Sequence, residues 1–115
     1  MTKFLVMDRL TPAEEQVMLK LWKLEQAAVK EIVEMYDSSN PPAYNTISTI
    51  VRILEKKKFI KHRNKGRGYI YLPKITKEDY KQYLTNWLID NYYEDSSEFN
   101  KIINKPKTLD EILGN

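Results

Sequence analysis

The order of hydrophobic patterns in the first two thirds of the chain restricts its fold more than any other feature. Three consecutive stretches, over about residues 12–24, 28–36 and from residue 43 onward, repeat apolar residues at helical spacing. Two short strand-like stretches follow, Phe59–Arg63 and Tyr69–Pro73, and the glycine-containing segment between them predicts a β-hairpin. Three helices followed by a hairpin are typical of a winged helix-turn-helix domain. We therefore predict a mainly α fold with a small β-hairpin wing.

Local signals indicate where these helices begin and end. Thr11 can cap the first helix, Pro12 suits its first position, and Glu14 at N3 can complete a capping box. The segment 37–42 contains two prolines and ends the second helix. One face of the third helix carries four apolar residues at helical spacing: Ile47, Ile50, Val51 and Leu54.

A second helical region follows the hairpin. Thr76 can cap a helix over about residues 77–93, and either Ser96 or Ser97 can cap a shorter one. Thr108 repeats the capping-box pattern and starts a last turn. With 115 residues the chain has the size of one ordinary domain. We predict that this length is divided into a winged-helix domain over 1–75 and a C-terminal helical region over 76–115.

Positive charge is concentrated in the middle of the chain. The formal net charge is +3, yet residues 43–74, here called the basic block, carry nine Lys/Arg against one Asp/Glu and thus a net charge of +8. The flanking segments 1–42 and 75–115 carry net charges of −2 and −3. Such a distribution indicates an anionic partner that binds the basic block.

Composition excludes several classes of site. The absence of cysteine removes disulfides, thiolate nucleophiles and cysteine metal sites, and a single histidine, His62, leaves no multi-histidine metal site. His62 lies in a predicted strand between two cations and is more typical of a strand surface than of a catalytic base. The sequence has no phosphate-binding glycine loop, so we expect no catalysis and no cofactor. The chain begins without an apolar run of signal-peptide or membrane-span length, which favours a cytoplasmic location.

The polar face of the third helix has the chemistry of a DNA recognition helix. Short hydroxyl and amide side chains let a helix approach base edges, threonine methyls can meet the thymine methyl, and arginine can reach a guanine edge. The alternative is an ordinary solvated helix face, which the adjacent positive charge disfavours. The candidate base-contacting residues are Asn45, Thr46, Ser48, Thr49 and Arg52.

The predicted hairpin has the chemistry of a DNA-binding wing. Its cations can neutralise phosphates beside the groove, which gives affinity and salt dependence but little sequence discrimination. The alternative is a hairpin whose charges serve only solubility. The candidate residues for the DNA backbone are Lys56, Lys61, Arg63, Lys65 and Arg67.

The aromatic face of the helix over 77–93 lies outside the small winged-helix core. It is either a dimer contact or a face that folds back on its own winged domain. A two-fold dimer suits DNA binding, because a palindromic site mirrors the symmetry of the protein. The candidate dimer-interface residues are Tyr80, Tyr83, Leu84, Trp87, Leu88 and Tyr92.

Four stretches of the sequence resemble one known family, the penicillinase-repressor family of bacterial regulators (the BlaI/MecI/CopY group). Together they cover residues 10–80 almost without gaps, whereas the remainder is similar only as a helical tail. The stretch on the third helix is the most specific. The resembling segments are Leu10–Trp22, Ala28–Val33, Ala43–Lys57 and Gly66–Pro73.

The resemblance implies a homodimeric winged-helix repressor that blocks transcription at a dyad operator. It places the base-contacting positions at Thr46, Thr49 and Arg52, with Asn45 and Ser48 at more variable positions. Members that act in antibiotic resistance are released when a membrane sensor with a metalloprotease domain (the BlaR/MecR type) leads to repressor cleavage. Copper-sensing members carry C-terminal cysteines, which this chain lacks. The copper-sensing function is therefore excluded.

One departure from the family pattern concerns the backbone. Lys58 stands where the family usually has glycine after the third helix, a position that favours a left-handed conformation. We expect either strain of about 1 kcal/mol at Lys58 or a helix that ends differently and shifts the first strand.

Two functions from other classes remain open at this point. The basic block could dock an acidic protein partner, in which case DNA affinity is weak and non-specific. An architectural DNA-binding protein without regulatory function would bind duplexes but leave no operator footprint. Sequence-specific repression is the function that the combined pattern favours.

Overall fold

A computed structural model describes residues 7–37 and 39–114. Ser38, in the segment predicted to end the second helix, lies outside the described residues. Residues 1–6, at the start that we predict to carry no signal peptide, lie outside them as well. The fold is mainly helical with one antiparallel hairpin of two strands, as the sequence predicts. The elements in chain order are α1 (Pro12–Leu24), α2 (Val29–Glu34), α3 (Tyr44–Lys56), β1 (Ile60–Lys65), β2 (Gly68–Pro73), α4 (Lys77–Tyr92), α5 (Ser96–Asn104) and α6 (Leu109–Leu113).

Two compact units divide the chain, the first ending at Tyr80 and the second beginning at Lys81. The division falls one turn inside α4, because the side chain of Tyr80 is buried in the first unit, only 3% exposed. Its hydroxyl oxygen accepts a hydrogen bond from the backbone N–H of Leu10 at 2.8 Å. Within the described residues no helix combines the length and the apolarity that a bilayer crossing requires.

The apolar stripes of α1, α2 and α3 meet in the core of the first unit. Trp22, at the edge of this core, donates from its indole N–H to the carbonyl oxygen of Ile75 at 2.9 Å. Its ring and that of Phe59 lie against the ring of Tyr80, with centroids 6.0 and 5.8 Å away. The most deeply buried side chains are Val17, Met18, Leu21, Ile32, Ile47, Val51, Leu54, Phe59 and Ile60.

Capping follows the sequence signals at three helices and departs from them at one. The Thr11–Glu14 capping box closes in both directions, at 3.2 and 3.0 Å, and Thr76 and Thr108 cap α4 and α6. The prediction that Ser96 or Ser97 caps α5 is wrong. Asp95 is the N-cap, because its carboxylate accepts from the backbone N–H at N3 at 2.9 Å and the serines occupy the first helical turn.

The end of α3 determines where the hairpin begins. Lys58 has a φ of +70°, its N–H donates to the carbonyl of Glu55, and the N–H of Phe59 donates to the carbonyl of Leu54, both at 3.0 Å. These two bonds form a Schellman motif, in which the left-handed position is the one usually filled by glycine. The expected left-handed backbone at Lys58 is thus present. Phe59 belongs to this motif, so β1 starts at Ile60 rather than at the predicted Phe59.

The hairpin is longer and its loop tighter than the sequence predicts. Lys65 pairs with Gly68, so only Gly66 and Arg67 form the loop. Gly66 has a φ of +61°, whereas Gly68 does not need a positive φ. Ala27 forms an isolated antiparallel β-bridge with Tyr71 of β2. The sequence predicts only a short junction at Ala27.

Candidate nucleic-acid interface

The polar face of α3 lies on the outside of the first unit. The opposite face is fixed by Ile47, Val51 and Leu54, each no more than 1% exposed. Because these positions bury one side of the helix, the polar residues between them face solvent. Of the predicted base-contacting set, Ser48 is half-buried and the other four are exposed: Asn45, Thr46, Thr49 and Arg52.

Two hydrogen bonds along α3 organise this polar face. The Thr49 hydroxyl donates to the carbonyl of Asn45 at 2.9 Å, and the Arg52 guanidinium donates to the Ser48 hydroxyl oxygen at 3.3 Å. The methyl group of Thr49 and the lone pairs of its hydroxyl oxygen therefore remain available for contacts with a ligand. The contact of Arg52 is long and exposed, so this side chain can exchange it for a better acceptor at low cost.

The structure adds Tyr44 to the outer surface of α3. Tyr44 is the first residue of α3 and is 56% exposed. The sequence places the start of the polar face at Asn45, because a tyrosine between proline-rich and polar segments carries no periodicity signal of its own. The first turn of α3 has no acidic residue and no side-chain cap. The positive end of the helix dipole is therefore not compensated there by protein charge.

The register of the hairpin sorts its side chains onto two faces. Neighbouring strand residues point to opposite sides, so the cations Lys61, Arg63 and Lys65 share one face of β1 and His62 lies on the other. Arg67 lies in the loop between the strands. The sequence alone could not separate these groups, because the parity of a strand depends on its exact register.

One cation that the sequence assigns to the DNA backbone has a partner within the protein. The guanidinium of Arg63 donates to the side-chain oxygen of Gln26, in the junction between α1 and α2, at 3.2 Å. All four predicted backbone contacts in the wing are exposed: Lys61, Arg63, Lys65 and Arg67. Lys56 is exposed at the end of α3.

The three consecutive lysines at positions 56–58 do not act as one charge cluster. The ammonium of Lys57 pairs with the carboxylate oxygens of Glu14 at 2.9 and 3.1 Å. Glu14 is only 5% exposed. Burial opposes its charge, but hydrogen bonds from the Thr11 N–H and from Lys57, together with the positive charge of Lys57, lower the pKa of Glu14 below its ordinary value. Lys57 therefore serves the fold, and the sequence predicts the capping box of Glu14 but not this ion pair.

An aromatic cluster lies where the wing meets α3. The ring of His62 lies 4.4 Å from that of Tyr69 and 6.0 Å from that of Tyr71, measured between centroids. Burial raises the pKa of the Tyr71 hydroxyl, and the nearby carboxylate of Glu55 raises it further. Tyr69 is 51% exposed. The sequence alone does not indicate that these tyrosines belong to the site.

A family model and a solved structure are similar to this chain. The family model described as penicillinase repressor matches residues 10–107. Among solved structures, the solution structure of the Bacillus licheniformis BlaI monomeric form in complex with the blaP half-operator is 28% identical in sequence, with a TM-score of 0.54. The match covers 64% of this chain and 90% of that chain. No curated protein sequence matches.

Proposed function

Because this chain belongs to the penicillinase repressor family, we propose that it represses transcription by binding operator DNA through α3 and the wing. One observation carries this proposal. The exposed polar face of α3 and the exposed wing cations both lie within the basic block of net charge +8. The similar BlaI structure is a complex with a half-operator. A surface that combines short polar groups with flanking cations suits a DNA groove and its phosphates.

In this mechanism α3 enters the major groove. Asn45 and Arg52 supply amide and guanidinium hydrogen bonds to base edges, and the Thr49 methyl packs against thymine. The short side chains of Thr46 and Ser48 let the helix backbone approach the bases closely. Base contacts of this kind determine which duplex is bound.

The wing and the end of α3 supply the phosphate contacts. We assign this role to Lys56, Lys61, Lys65 and Arg67, which are exposed, and to Arg63, which must first give up or share its bond to Gln26. Each neutralised phosphate releases counterions, so these contacts make the affinity fall with increasing salt.

Repression by a homodimer at a dyad operator is the second part of the proposal. The second unit buries none of its large apolar side chains in α5 or α6. A two-fold dimer covers such surfaces and places two α3 helices in successive major grooves about 34 Å apart. Tyr80 belongs to the core of the first unit, so the proposed interface on α4 is Tyr83, Leu84, Trp87, Leu88 and Tyr92.

Fluorescence anisotropy titrations test the binding function. The labelled probes are the promoter duplex of the gene that encodes the chain and a random duplex of equal length, both at physiological salt. We expect the promoter to bind at least about 10³-fold more tightly. Equal affinity for both duplexes would contradict specific repression, and tight capture of an acidic protein would favour a docking module instead.

Substitutions test the division of labour between α3 and the wing. Thr49→Ala and Arg52→Ala should each cost about 1–3 kcal/mol on the promoter and reduce the preference over random DNA. Lys65→Ala should weaken both duplexes alike and reduce the salt dependence by about one phosphate contact. Uniform losses from all three variants would contradict the assignment.

A further inference from the structure

The basic block contains one acidic residue, Glu55, and the chain contains one histidine, His62. The structure brings these two side chains together. The Nδ1–H of His62 on β1 donates to Oε2 of Glu55 on α3 at 2.5 Å. We assign the ring nitrogen as the donor, because a carboxylate oxygen can only accept. The bond therefore joins the last turn of α3 to the strand that carries the wing cations.

The ring of His62 is held from its own side of the hairpin as well. It lies 4.4 Å from the ring of Tyr69, which in turn lies 6.2 Å from the ring of Tyr71. Tyr71 is 7% exposed, and its backbone exchanges hydrogen bonds of 2.8 and 3.0 Å with Ala27. The contacts of His62 thus run through Tyr69 and Tyr71 to the backbone of Ala27.

The other face of the hairpin is anchored as well, since Arg63 donates to Gln26 at 3.2 Å and its cross-strand neighbour Ile70 is only 8% exposed. An isolated two-stranded hairpin is only marginally stable, so contacts at its base determine its direction. The wing is held by α3 on one face and by the α1–α2 junction on the other.

A carboxylate within a phosphate-binding surface repels DNA and lowers its affinity. We propose that Glu55 and His62 offset this cost by locking the wing against α3, so that they are positioning residues for DNA binding. This inference rests on the proposed function. The lock sets the distance between the base contacts of α3 and the phosphate contacts of Lys65 and Arg67.

The proposal and simple electrostatics predict opposite signs for one substitution. Glu55→Met keeps the length and helix propensity of the side chain but removes its charge and its acceptor. If Glu55 only repels phosphates, the variant binds DNA more tightly. If Glu55 holds the wing, the variant binds more weakly, by about threefold or more. Glu34→Met, at an exposed position on α2, is the control for the loss of one negative charge.

His62→Phe tests the same bond from the other side. Phenylalanine keeps a ring for the contact with Tyr69 and removes the donor to Glu55. We expect His62→Phe to lose at least as much affinity as Glu55→Met, because the unpaired Glu55 carboxylate still repels phosphates. The double variant should be no weaker than His62→Phe. Independent losses that multiply in the double variant would show that the two residues do not act through one bond.

Double-variant cycles with the wing tip provide a readout that a purely structural role would not change. Arg67→Ala should weaken DNA binding in the wild type but much less in the Glu55→Met background, with a coupling of at least about threefold. Thr49→Ala on α3 should cost the same factor in both backgrounds. A multiplicative result for Arg67→Ala, or tighter binding by Glu55→Met, would overturn the proposal.

The titrations use a duplex selected from a randomised library and a scrambled duplex of equal composition. A wild type without preference between them disproves sequence-specific repression, while the cycle with Arg67→Ala still tests the lock on the scrambled duplex, because phosphate contacts do not depend on sequence. Thermal unfolding of each variant identifies loss of the fold. If Glu55→Met does not fold, His62→Phe replaces it in the same cycle.

Discussion

At two helix ends in the described part of the chain, a residue other than glycine has a positive φ. Lys58 has a φ of +70° after α3, and Glu25 has a φ of +73° after α1. An L-residue occupies this region at a cost of about 1–2 kcal/mol, because Cβ approaches the following carbonyl oxygen. Lys58 is held there by the two Schellman hydrogen bonds, donated by Lys58 and Phe59, and by the buried ring of Phe59. The packing of Phe59 in the core thus offsets the cost of this backbone conformation.

Replacing Lys58 with glycine should stabilise the protein. Lys58→Gly removes the left-handed strain, and after the extra flexibility of glycine in the unfolded chain we expect a gain of about 0.5–1 kcal/mol in the free energy of unfolding. Urea denaturation followed by tryptophan fluorescence measures this gain. Lys56→Gly, at the last residue of α3, is the matched control and should lose about 0.5 kcal/mol. Equal losses from both variants would show that the position does not favour glycine.

The pair of Glu14 and Lys57 predicts a specific acid sensitivity. The pKa of Glu14 is lower in the folded chain than its ordinary value of 4.5. The unfolded state therefore binds the proton more readily. The stabilisation is complete above the ordinary value and is lost as the pH falls through the folded pKa. The free energy of unfolding should decline below about pH 5, more steeply in the wild type than in Glu14→Gln.

Lys57→Met provides the complementary measurement. It leaves the carboxylate of Glu14 buried without its charge partner, which should cost about 2 kcal/mol at neutral pH. Equilibrium urea unfolding at several pH values, from 3 to 7, records both effects. Identical pH profiles for the wild type and Glu14→Gln would show that the pair does not contribute to acid stability.

At the scale of elements, the wing depends on one of its two glycines. Gly66 has a φ of +61°, while Gly68 pairs with Lys65 at the end of the ladder, and a Cβ at either position would contact nothing within 4 Å. A side chain at Gly66 is therefore disfavoured by the positive φ of the backbone and not by steric contact with neighbouring atoms. A positive φ at the first loop position alone has the sign pattern of a type II′ turn, which matches the twist of a hairpin.

Gly66→Ala and Gly68→Ala should thus differ although they lie two residues apart. We expect Gly66→Ala to destabilise the hairpin by about 1 kcal/mol and Gly68→Ala to change stability by less than about 0.5 kcal/mol. Amide hydrogen exchange in β1 and β2 measures the opening of the hairpin directly. Equal protection in the two variants would contradict the importance of the left-handed position.

At the scale of the whole molecule, the second unit exposes an unusual amount of apolar side chain. Ile102 and Ile103 on α5 are 49% and 52% exposed, and Leu109, Ile112 and Leu113 on or near α6 exceed 60%. Apolar groups gathered on short helices favour association, because covering them releases water. This exposure supports the proposed homodimer.

Trp87→Asp should produce monomers. Trp87 packs edge-on against Tyr92 with ring centroids 5.5 Å apart, and a charge in a covered aromatic face would have to be desolvated. Light scattering over a range of protein concentrations measures the change in mass. Asn86→Asp, on the neighbouring exposed position of α4, adds the same charge and should remain dimeric. A dimeric Trp87→Asp would remove this face from the interface.

The sequence by itself determined the elements of this protein and their order. Helical periodicity located α1 and α3, the capping boxes at Thr11 and Thr108 marked two helix starts, and the glycine positions marked the hairpin. These signals are local, since each involves residues within one or two turns of the chain. At Lys58, where the resembling family usually has glycine, two alternatives were open, a strained left-handed backbone or a different helix end, and the structure has the left-handed backbone.

Only the tertiary structure decided which residues meet across the chain. It paired Glu14 with Lys57, Ala27 with Tyr71 and Glu55 with His62, and it placed Tyr80 in the core of the first unit rather than on the α4 face proposed for the dimer. No periodicity encodes such pairs, because their sequence separation is set by how helices and strands pack. Strand parity likewise depends on register, which only the folded hairpin fixes.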